Sequence, residues 1–471
     1  MEDVTAGPGS PEPADLPDAA VTADVLDATT RYAASILAAL PDRPVVPVGE
    51  VTPASDPLPV SGTGFAGALD LFARRWAPGF SASAGPRYLG FVTGGSTPAG
   101  IAGDWLAAVF DQNPAASDGS SASALERETV RWLASMFGLG DVHTGAFVTG
   151  ATMSNFVGLA LGREWLGERA GVSVAESGVT ALGPVKVYSG APHSSTYKAL
   201  SMLGLGRDSL RLIPTLPDRE AIDVAQLAAE LDGTPAIVVA NAGTVNTADF
   251  DDLRALVELR SRTPFWLHVD AAFGGFAALS PAFTHLVDGL ADADSICVDL
   301  HKWLNVPYDA AVQFTRRRDL QVEVFRNSAA YLGLPTEDPD FVHLTPENSR
   351  RLRALATWFT LTAYGQDGHR RIVERTVDLA HRLGDLLADT PGVRLLAPVR
   401  LNVVCFTLTD SPTPDRVAEV ARRIASSGAT FLTPTVYKGQ PALRAAFSNW
   451  RTEPSDLTTI HTAIADACTD L

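Results

Sequence analysis

The residues with the clearest chemical potential lie in the stretch Asp299-Leu-His-Lys-Trp303. This stretch follows the apolar run Ser295-Ile-Cys-Val298, which is typical of a buried strand. The amine of Lys302 can bind an aldehyde covalently, and burial lowers the pKa of such an amine toward its reactive neutral form. A loop lysine is more often a surface residue, so a chemical role for Lys302 depends on other suitable groups nearby.

A second polar residue stands at the end of another strand-like run. Phe265-Trp-Leu-His-Val269 ends at Asp270, and Ala271-Ala-Phe-Gly-Gly275 follows. Asp270 could simply cap the next turn. Opposite a pyridine nitrogen, however, a buried carboxylate keeps that nitrogen protonated, and the ring then accepts electrons. An amine and a carboxylate at the ends of two strands are the groups that pyridoxal 5′-phosphate (PLP) requires.

Two further turns offer groups for the same cofactor. Gly150-Ala-Thr-Met-Ser-Asn155 follows the run Ala146-Phe-Val-Thr149 and opens a helical stretch, so its N–H groups and the helix dipole could hold a phosphate. An ordinary strand-to-helix turn has the same pattern, and the Gly-Lys-Ser/Thr ending of a nucleotide-triphosphate loop is missing. His193 follows the run Val185–Tyr188 and could stack on a bound ring, although a solvated loop histidine is the alternative.

Strand-like runs alternate with helical patterns across the middle of the chain. This order predicts an α/β fold with crossover connections and a mostly parallel sheet that has helices on both faces. The runs are Val185–Tyr188, Ala236–Ala240, Phe265–Val269, Ser295–Val298 and Ala310–Phe314. In open sheets of this kind, ligands bind beyond the carboxyl ends of the strands. Three consecutive ends, which carry Gly243-Thr244, Asp270 and His301-Lys302, should therefore meet in one crevice.

The two ends of the chain differ from this middle part. Residues 1–20 are rich in Pro, Gly, Asp and Glu and are expected to form a disordered tail. Residues 21–95 form an N-terminal helical segment whose first helix, from Leu26 to Leu40, has an apolar stripe that a second subunit could cover. We expect a large cofactor-binding domain over residues 96–360 and a small α+β domain over residues 361–471.

Composition narrows the class of protein. A chain of 471 residues, 46% of them hydrophobic, can bury the core of a large domain, yet it has no run of roughly 18 apolar residues for a membrane span. The net charge of −17 argues against a nucleic-acid partner. The distant cysteines Cys297, Cys405 and Cys468 favour reduced core thiols and a cytoplasmic location. The histidines form no His-x-x-x-His cluster, so no metal site is expected.

In its motifs the chain resembles the group II PLP-dependent decarboxylases, fold-type I enzymes that include aromatic amino acid, histidine and glutamate decarboxylases. The likeness runs from about Pro86 to Asn449. The motifs are, in chain order, Gly150-Ala-Thr152 with Asn155, Pro192-His-Ser-Ser195, Ala242-Gly-Thr244 with Asn246-Thr247, His268-Val-Asp-Ala-Ala272, Asp299-Leu-His-Lys-Trp303, and Ser349-Arg-Arg351 with Trp358 and Tyr364-Gly365. Their order and number identify the chain as a member of that family.

The resemblance implies roles for the matching residues. Lys302 would hold the cofactor as a Schiff base, and Asp270 would pair with the pyridinium nitrogen. His193 would stack on one face of the ring, with Ala272 against the other. Members of the family are homodimers with their sites at the interface, which would explain the exposed N-terminal helix.

The same resemblance completes the cofactor site. The further cofactor-binding residues would be Gly150, Ala151, Thr152, Thr244, Asp299 and His301. Ala151 and Thr152 would hold the phosphate, Thr244 would sit near the phenolic oxygen, and His301 would neighbour the Schiff base.

The resemblance also points to catalytic and substrate-facing residues. Tyr331 aligns with a loop tyrosine that is thought to protonate the carbanion; in aldehyde-forming relatives this residue tends to be phenylalanine, so Tyr331 favours simple decarboxylation. The loop here is shorter than in the aromatic amino acid enzymes. Phe91 and Thr93 align with substrate-facing residues, and the pair Gly94-Gly95 departs from the aromatic branch and is expected to widen or reshape the pocket.

These observations predict a carboxy-lyase that converts an L-amino acid to its amine. The substrate could be an amino acid of primary metabolism or an unusual one from a biosynthetic pathway, and the divergent pocket segment favours the latter. Oxidative deamination to an aldehyde, β-elimination and transamination stay open, because the outcome depends on which substrate bond is held perpendicular to the ring. A catalytically silent binding protein is the alternative from another class. The presence of Lys302, Asp270 and His193 argues against it.

Overall fold

Two sheets organise the chain, and the larger one positions the residues discussed above. The computed structural model describes residues 22–47, 53, 55–116, 119–327 and 338–469, so Tyr331 lies outside the described residues. The strands of the larger sheet are β1 (Thr144–Val148), β2 (Val187–Ser189), β3 (Leu210–Leu212), β4 (Ala236–Asn241), β5 (Phe265–Asp270), β6 (Ser295–Asp299) and β7 (Ala311–Thr315). Those of the smaller sheet are β8 (Val393–Leu395), β9 (Val403–Leu408), β10 (Thr433–Tyr437) and β11 (Gln440–Ala446).

The α-helices follow the order expected from the sequence patterns. They are α1 (Thr22–Ala39), α2 (Gly64–Arg75), α3 (Pro98–Phe110), α4 (Ala122–Met136), α5 (Ala151–Ala170), α6 (Val174–Ser177), α7 (Ser194–Met202), α8 (Val224–Glu230), α9 (Leu253–Arg260), α10 (Leu300–Trp303), α11 (Arg318–Phe325), α12 (Ala354–Ala388), α13 (Pro414–Ser426) and α14 (Pro454–Thr469). None of the described helices is both long and apolar enough to cross a bilayer.

The larger sheet is mixed, with the order β1-β7-β6-β5-β4-β2-β3. Strand β7 runs antiparallel to both of its neighbours, and the remaining pairs are parallel. The prediction of a mostly parallel sheet is confirmed, and all five predicted strands are present within two residues of their expected bounds. Strand β3 escaped prediction because it is a short edge strand whose residues are partly or fully exposed.

Both faces of this sheet are covered, which is why its strands read as continuous apolar runs. Along β4, Val238 packs into one hydrophobic core, and its neighbours Ile237 and Val239 pack into another on the opposite face. Helix α5 lies close against the second face. A Cβ placed on its Gly162 would come within 2.9 Å of Trp266.

The smaller sheet has the order β10-β11-β9-β8 and is antiparallel throughout. Helix α12 connects it to the rest of the chain and crosses the predicted domain boundary at residue 361. Its Leu355 packs with the core of the large sheet, and its Leu383 packs with the core of the small sheet. The helix bends between these two parts at Gly365, whose φ of 62° is a left-handed value that glycine adopts readily.

Candidate active site

The carboxyl ends of β4, β5 and β6 meet at one cavity of about 200 Å³. These strands are adjacent and parallel, so their ends lie at the same edge of the sheet. The residues that line the cavity are Phe91, Val92, Ala151, Ala191, His193, Asn241, Gly243, Val245, Asp270, Ala272, Phe273, Lys302 and Arg444. The structure therefore brings together the predicted amine, carboxylate and imidazole.

Lys302 lies in α10, directly after β6, and 20% of its side chain is exposed. Its Nζ is 2.8 Å from Oδ2 of Asp299, the last residue of β6. Burial lowers the pKa of the amine, but the charges of Asp299 and Asp270 and the hydrogen bond to Asp299 outweigh that effect and raise the pKa above its usual value. The expectation that desolvation alone would leave Lys302 neutral was wrong, because it did not include a carboxylate three residues upstream.

Asp270 ends β5 and is 6% exposed. Its Oδ2 accepts a hydrogen bond from Nδ2 of Asn155 at 2.8 Å, and its Oδ1 accepts one from the backbone N–H of Ala272 at 3.2 Å. Hydrogen bonds that are donated to a carboxylate stabilise its charged form. The side chain is thus held as an acceptor at the cavity wall.

His193 caps the N-terminus of α7, where its Nδ1 accepts the N–H of Ser195 at 3.2 Å. The hydroxyl of Ser195 lies 2.7 Å from the same nitrogen. Burial lowers the pKa of the imidazole, and the charge of Asp270 opposes this shift only in part. His193 is therefore a neutral ring with its second nitrogen available to the cavity.

The N-terminus of α5 lies beside these groups. The N–H of Ala151 donates to Oδ1 of Asp299 at 2.7 Å, and by helix geometry the next two N–H groups, of Thr152 and Met153, have no partner within the helix. This end can hold an anion. Gly150 precedes it, and a Cβ there would lie 3.4 Å from the ring of His301.

His301 and Asp299 lie behind the cavity wall rather than on it. The Nδ1 of His301 accepts the N–H of Ala310 at 3.2 Å, and its Nε2 is 3.5 Å from Oδ1 of Asp299. The His301 ring also contacts Tyr308, with a centroid distance of 4.3 Å and an angle of 35° between the ring planes. Burial lowers the pKa of this imidazole.

Thr244 is buried and is not among the residues that line the cavity, so its predicted place near the phenolic oxygen stays a prediction. Its hydroxyl donates to Oε2 of Glu220 at 2.6 Å and lies 3.3 Å from the hydroxyl of Thr247. Gly243 and Val245, its two neighbours in the chain, line the cavity instead.

Of the residues predicted to face the substrate, Phe91 lines the cavity and Thr93 does not. Phe91 lines the cavity, is 58% exposed and has a left-handed φ of 55°, which is a strained conformation for an aromatic residue. Thr93 is buried, and its hydroxyl donates to the carbonyl of Gly90 at 3.3 Å. The expectation that Gly94 widens the pocket was wrong. A Cβ on Gly94 would lie 1.6 Å from the carbonyl oxygen of Lys302. That glycine is required for the close packing of two backbone segments.

Some site residues had no role assigned from the sequence. Asn155 and Ser195 appeared only as motif letters, and their hydrogen bonds to Asp270 and His193 depend on the tertiary structure. Arg444 in β11 is 5% exposed and lines the cavity, where it donates to the carbonyl of Val245. The sequence did contain a signal for Arg444, because a charged residue within the apolar run Leu443–Phe447 is unusual and indicates a function for its side chain.

The donor set fits PLP. Lys302 supplies an amine for the aldehyde, Asp270 a carboxylate for the ring nitrogen, and α5 a helix terminus for the phosphate. His193 and Ala272 supply a flat ring and a small side chain at the wall of the same cavity. Each part of the cofactor therefore has a partner of suitable chemistry among the described residues.

Known proteins resemble the chain in sequence and in fold. The chain is 29% identical to the aromatic-L-amino-acid decarboxylase of Bacillus atrophaeus over 389 residues, which cover 79% of each chain. It is 28% identical to the L-2,4-diaminobutyrate decarboxylase of Acinetobacter baumannii over 324 residues, 65% of this chain and 62% of that one. The crystal structure of Oryza sativa TDC with PLP and tryptamine superposes with a TM-score of 0.88 at 23% identity and covers 98% of this chain and 99% of that chain.

A family model described as the pyridoxal-dependent decarboxylase conserved domain matches residues 71–409, which is most of the chain. The matched residues include Lys302, Asp270 and His193, which supply the amine, the carboxylate and the imidazole of the cavity. By this match and by its cavity, the chain belongs to the pyridoxal-dependent decarboxylases and is a carboxy-lyase that uses PLP as its cofactor.

Proposed function

We propose that the protein removes the α-carboxyl group of an L-amino acid as carbon dioxide and releases the corresponding amine. The observation that carries this proposal is the convergence of Lys302, Asp270 and His193 on a single cavity. Bound PLP supplies an electron sink for the electron pair that remains when the bond between Cα and the carboxylate breaks.

The side chains around the cofactor have separate tasks in this proposal. Lys302 would hold the cofactor through its aldehyde, and its amine would be the group that the substrate amine replaces. Asp270 keeps a proton on the ring nitrogen, and His193 fixes the plane of the ring. The N–H groups at the start of α5 hold the phosphate. Phe91 stands at the rim, where it contacts the substrate side chain.

Tyr331 is proposed as the acid that delivers a proton to Cα after carbon dioxide has left. It lies outside the described residues, so this role stays a prediction from the resemblance. The substitution Tyr331→Phe should shift the product from amine toward aldehyde. If the variant formed amine at the wild-type rate and no aldehyde, Tyr331 would not be the proton donor.

The reaction type is tested by product analysis. PLP-loaded protein is incubated with a panel of L-amino acids, with and without oxygen, and amine, aldehyde, ammonia, keto acid and carbon dioxide are quantified. Simple decarboxylation gives equal amounts of amine and carbon dioxide with no dependence on oxygen. Lys302→Met is the control, since it retains the fold but has no amine.

Other outcomes would replace the proposal. Aldehyde, ammonia and oxygen consumption would indicate oxidative deamination, whereas a keto acid without carbon dioxide would indicate elimination or transamination. If no amino acid in a panel that includes aromatic, acidic and diamino acids were turned over, the binding-protein alternative would replace the enzyme proposal.

We also propose that the active form is a homodimer. None of the residues of α1 or α2 is buried within the chain. With α3 these helices border an apolar groove of about 460 Å³. The large hydrophobic residues exposed in these helices and in the turn after α2 are Leu26, Leu71, Trp76, Phe80, Trp105, Val109 and Phe110. A second copy of the chain is the occupant that the family resemblance favours, since such a surface is unusual on a monomer.

Sedimentation equilibrium tests the dimer. Wild-type protein should have twice the chain mass of 49.7 kDa. The double substitution Trp105→Glu/Val109→Glu should yield monomers of low activity, and Met202→Glu, at an exposed methionine on α7, should leave the dimer intact. A monomeric wild-type protein with full activity would contradict the proposal. The predicted cytoplasmic location stays a prediction.

A further inference from the structure

A network of buried polar side chains lies between α5 and the large sheet and ends at Asp270 in the cavity wall. Its members are Trp266, His268, Ser295, Asn155 and Ser195, all of which are at most 3% exposed. None of these five residues lines the cavity, and His268 reaches from β5 to Asn155 of α5.

The direction of every hydrogen bond in this side-chain network follows from the carboxylate of Asp270, at which the network ends. Asp270 can only accept, so the amide of Asn155 must direct its Nδ2 toward Oδ2 of Asp270, at 2.8 Å. The amide oxygen of Asn155 then faces Nε2 of His268 at 2.9 Å, and this nitrogen must carry the proton.

The remaining bonds of His268 agree with that assignment. Its burial lowers its pKa to about 4, so the ring is neutral and its Nδ1 has no proton. The hydroxyl of Ser295 lies 2.8 Å from Nδ1 and can donate to it, while Ser295 accepts from Nε1 of Trp266 at 3.0 Å.

The second proton of the Asn155 amide connects Asp270 to His193. It is donated to the hydroxyl of Ser195 at 3.0 Å, which can then donate to Nδ1 of His193 at 2.7 Å. His193, also neutral, must therefore carry its proton on Nε2. The backbone N–H of Ser195 requires the same tautomer, and the Asn155 amide links this pair to Asp270.

The packing around His268 leaves no space for an alternative arrangement. A Cβ on Gly158 of α5 would lie 2.6 Å from the His268 ring, so this glycine is what admits the imidazole between the helix and the sheet. If Asn155 were reversed, its oxygen would face the carboxylate of Asp270, which is repulsive in a buried site.

We propose that His268 is a positioning residue for the cofactor site: its Nε2–H holds the Asn155 amide, which in turn orients Asp270 and supports the Ser195 hydroxyl beside His193. This inference rests on the proposed function, because it concerns how those two side chains meet PLP.

The test compares three substitutions in the full-length protein. His268→Leu removes the donor, and His268→Gln places an amide N–H near the position of Nε2. His369→Leu is the matched control, because His369 in α12 is also fully buried with a pKa lowered to about 4, but the nitrogen that contacts Asn155 belongs to His268. The readouts are the dissociation constant of PLP from titration of the apoprotein, the absorbance spectrum of bound PLP against pH, and kcat and KM separately.

We expect His268→Leu to weaken PLP binding by about tenfold or more, because the hydrogen bond from Asn155 to the buried carboxylate of Asp270 loses its alignment. The variant should also lower kcat more than it changes KM. Its bound cofactor should show an altered pH titration of the visible band. His268→Gln should recover most of the affinity, and His369→Leu should bind PLP as tightly as the wild type does.

Equal PLP affinity and an unchanged spectrum in His268→Leu and wild type would overturn the inference. If His268→Leu did not fold, His268→Phe would replace it: this variant fills the space of the ring but has no N–H for Asn155, and wild-type affinity with a wild-type spectrum would again overturn the inference. Failure of the proposed function is seen separately, since wild-type protein would then not bind PLP or not form amine.

Discussion

The amine of Lys302 lies 2.8 Å from the carboxylate of Asp299, and the other oxygen of that carboxylate accepts the first N–H of α5, from Ala151, at 2.7 Å. One side chain thus contacts both the amine proposed to bind the cofactor aldehyde and the helix terminus proposed to hold the phosphate. Asp299 keeps Lys302 protonated, so the amine must lose a proton before it can attack the aldehyde.

The substitution Asp299→Asn should lower the pKa of Lys302, because it removes the nearest opposite charge. More of the amine is then neutral at pH 7, and PLP should attach to the apoprotein faster. Stopped-flow absorbance from pH 6 to pH 10 should show the rate rising at lower pH than in wild type. Asp288→Asn, at an exposed carboxylate paired with Arg254, is the control. An unchanged or upward-shifted profile in Asp299→Asn would show that Asp299 does not govern the amine.

Gly94→Ala should damage both the fold and the site. Its Cβ would lie 1.6 Å from the carbonyl oxygen of Lys302, so a backbone segment must move. We expect a loss of about 1–3 kcal/mol in the free energy of unfolding and a large loss of activity. Gly62→Ala, where no atom lies within 4 Å, should change stability by less than about 0.5 kcal/mol. Urea unfolding compares the two, and equal stabilities would refute the packing argument.

Glu126 and Arg350 form a buried ion pair with side-chain exposures of 0% and 1%. Arg350→Met leaves the carboxylate of Glu126 without a counter-charge and should cost about 3–5 kcal/mol. The double variant Arg350→Met/Glu126→Gln should recover a large part of this loss, because the buried charge is gone. Arg254→Met, in an exposed pair, should cost less than about 1 kcal/mol. A double variant as unstable as the single one would contradict this account.

Acid should destabilise the protein partly through His369. Burial lowers the pKa of this imidazole from its usual 6.5 to about 4, so its neutral form contributes stability above pH 6.5 that is lost as the pH falls toward 4. At pH 5 the loss is about 2 kcal/mol. The difference in unfolding free energy between pH 7 and pH 5 should therefore be smaller in His369→Leu than in wild type. His381→Gln, at an exposed position on the same helix, should match wild type; no difference between the two variants would remove His369 from the explanation.

The sequence was sufficient to predict the strand ends that form the site, because buried parallel strands are continuous apolar runs and their terminal polar residues stand out. Asp270 and Lys302 follow this rule. The direction of Thr244 could not be predicted, because its hydrogen-bond partner, Glu220, lies 24 residues upstream in a loop without a pattern. Gly94 was misjudged for a similar reason: a glycine pair indicates free space as readily as close packing, and only the position of the Lys302 carbonyl decides between them.

The central claim is that Lys302 binds PLP covalently, and reductive trapping tests it most directly. Wild-type protein loaded with PLP is treated with sodium borohydride, digested and mapped by mass spectrometry, with Lys302→Met as the control. The account predicts one pyridoxyl adduct, on Lys302, and loss of the visible absorbance on reduction. An adduct on another lysine, or full decarboxylase activity in Lys302→Met, would contradict it.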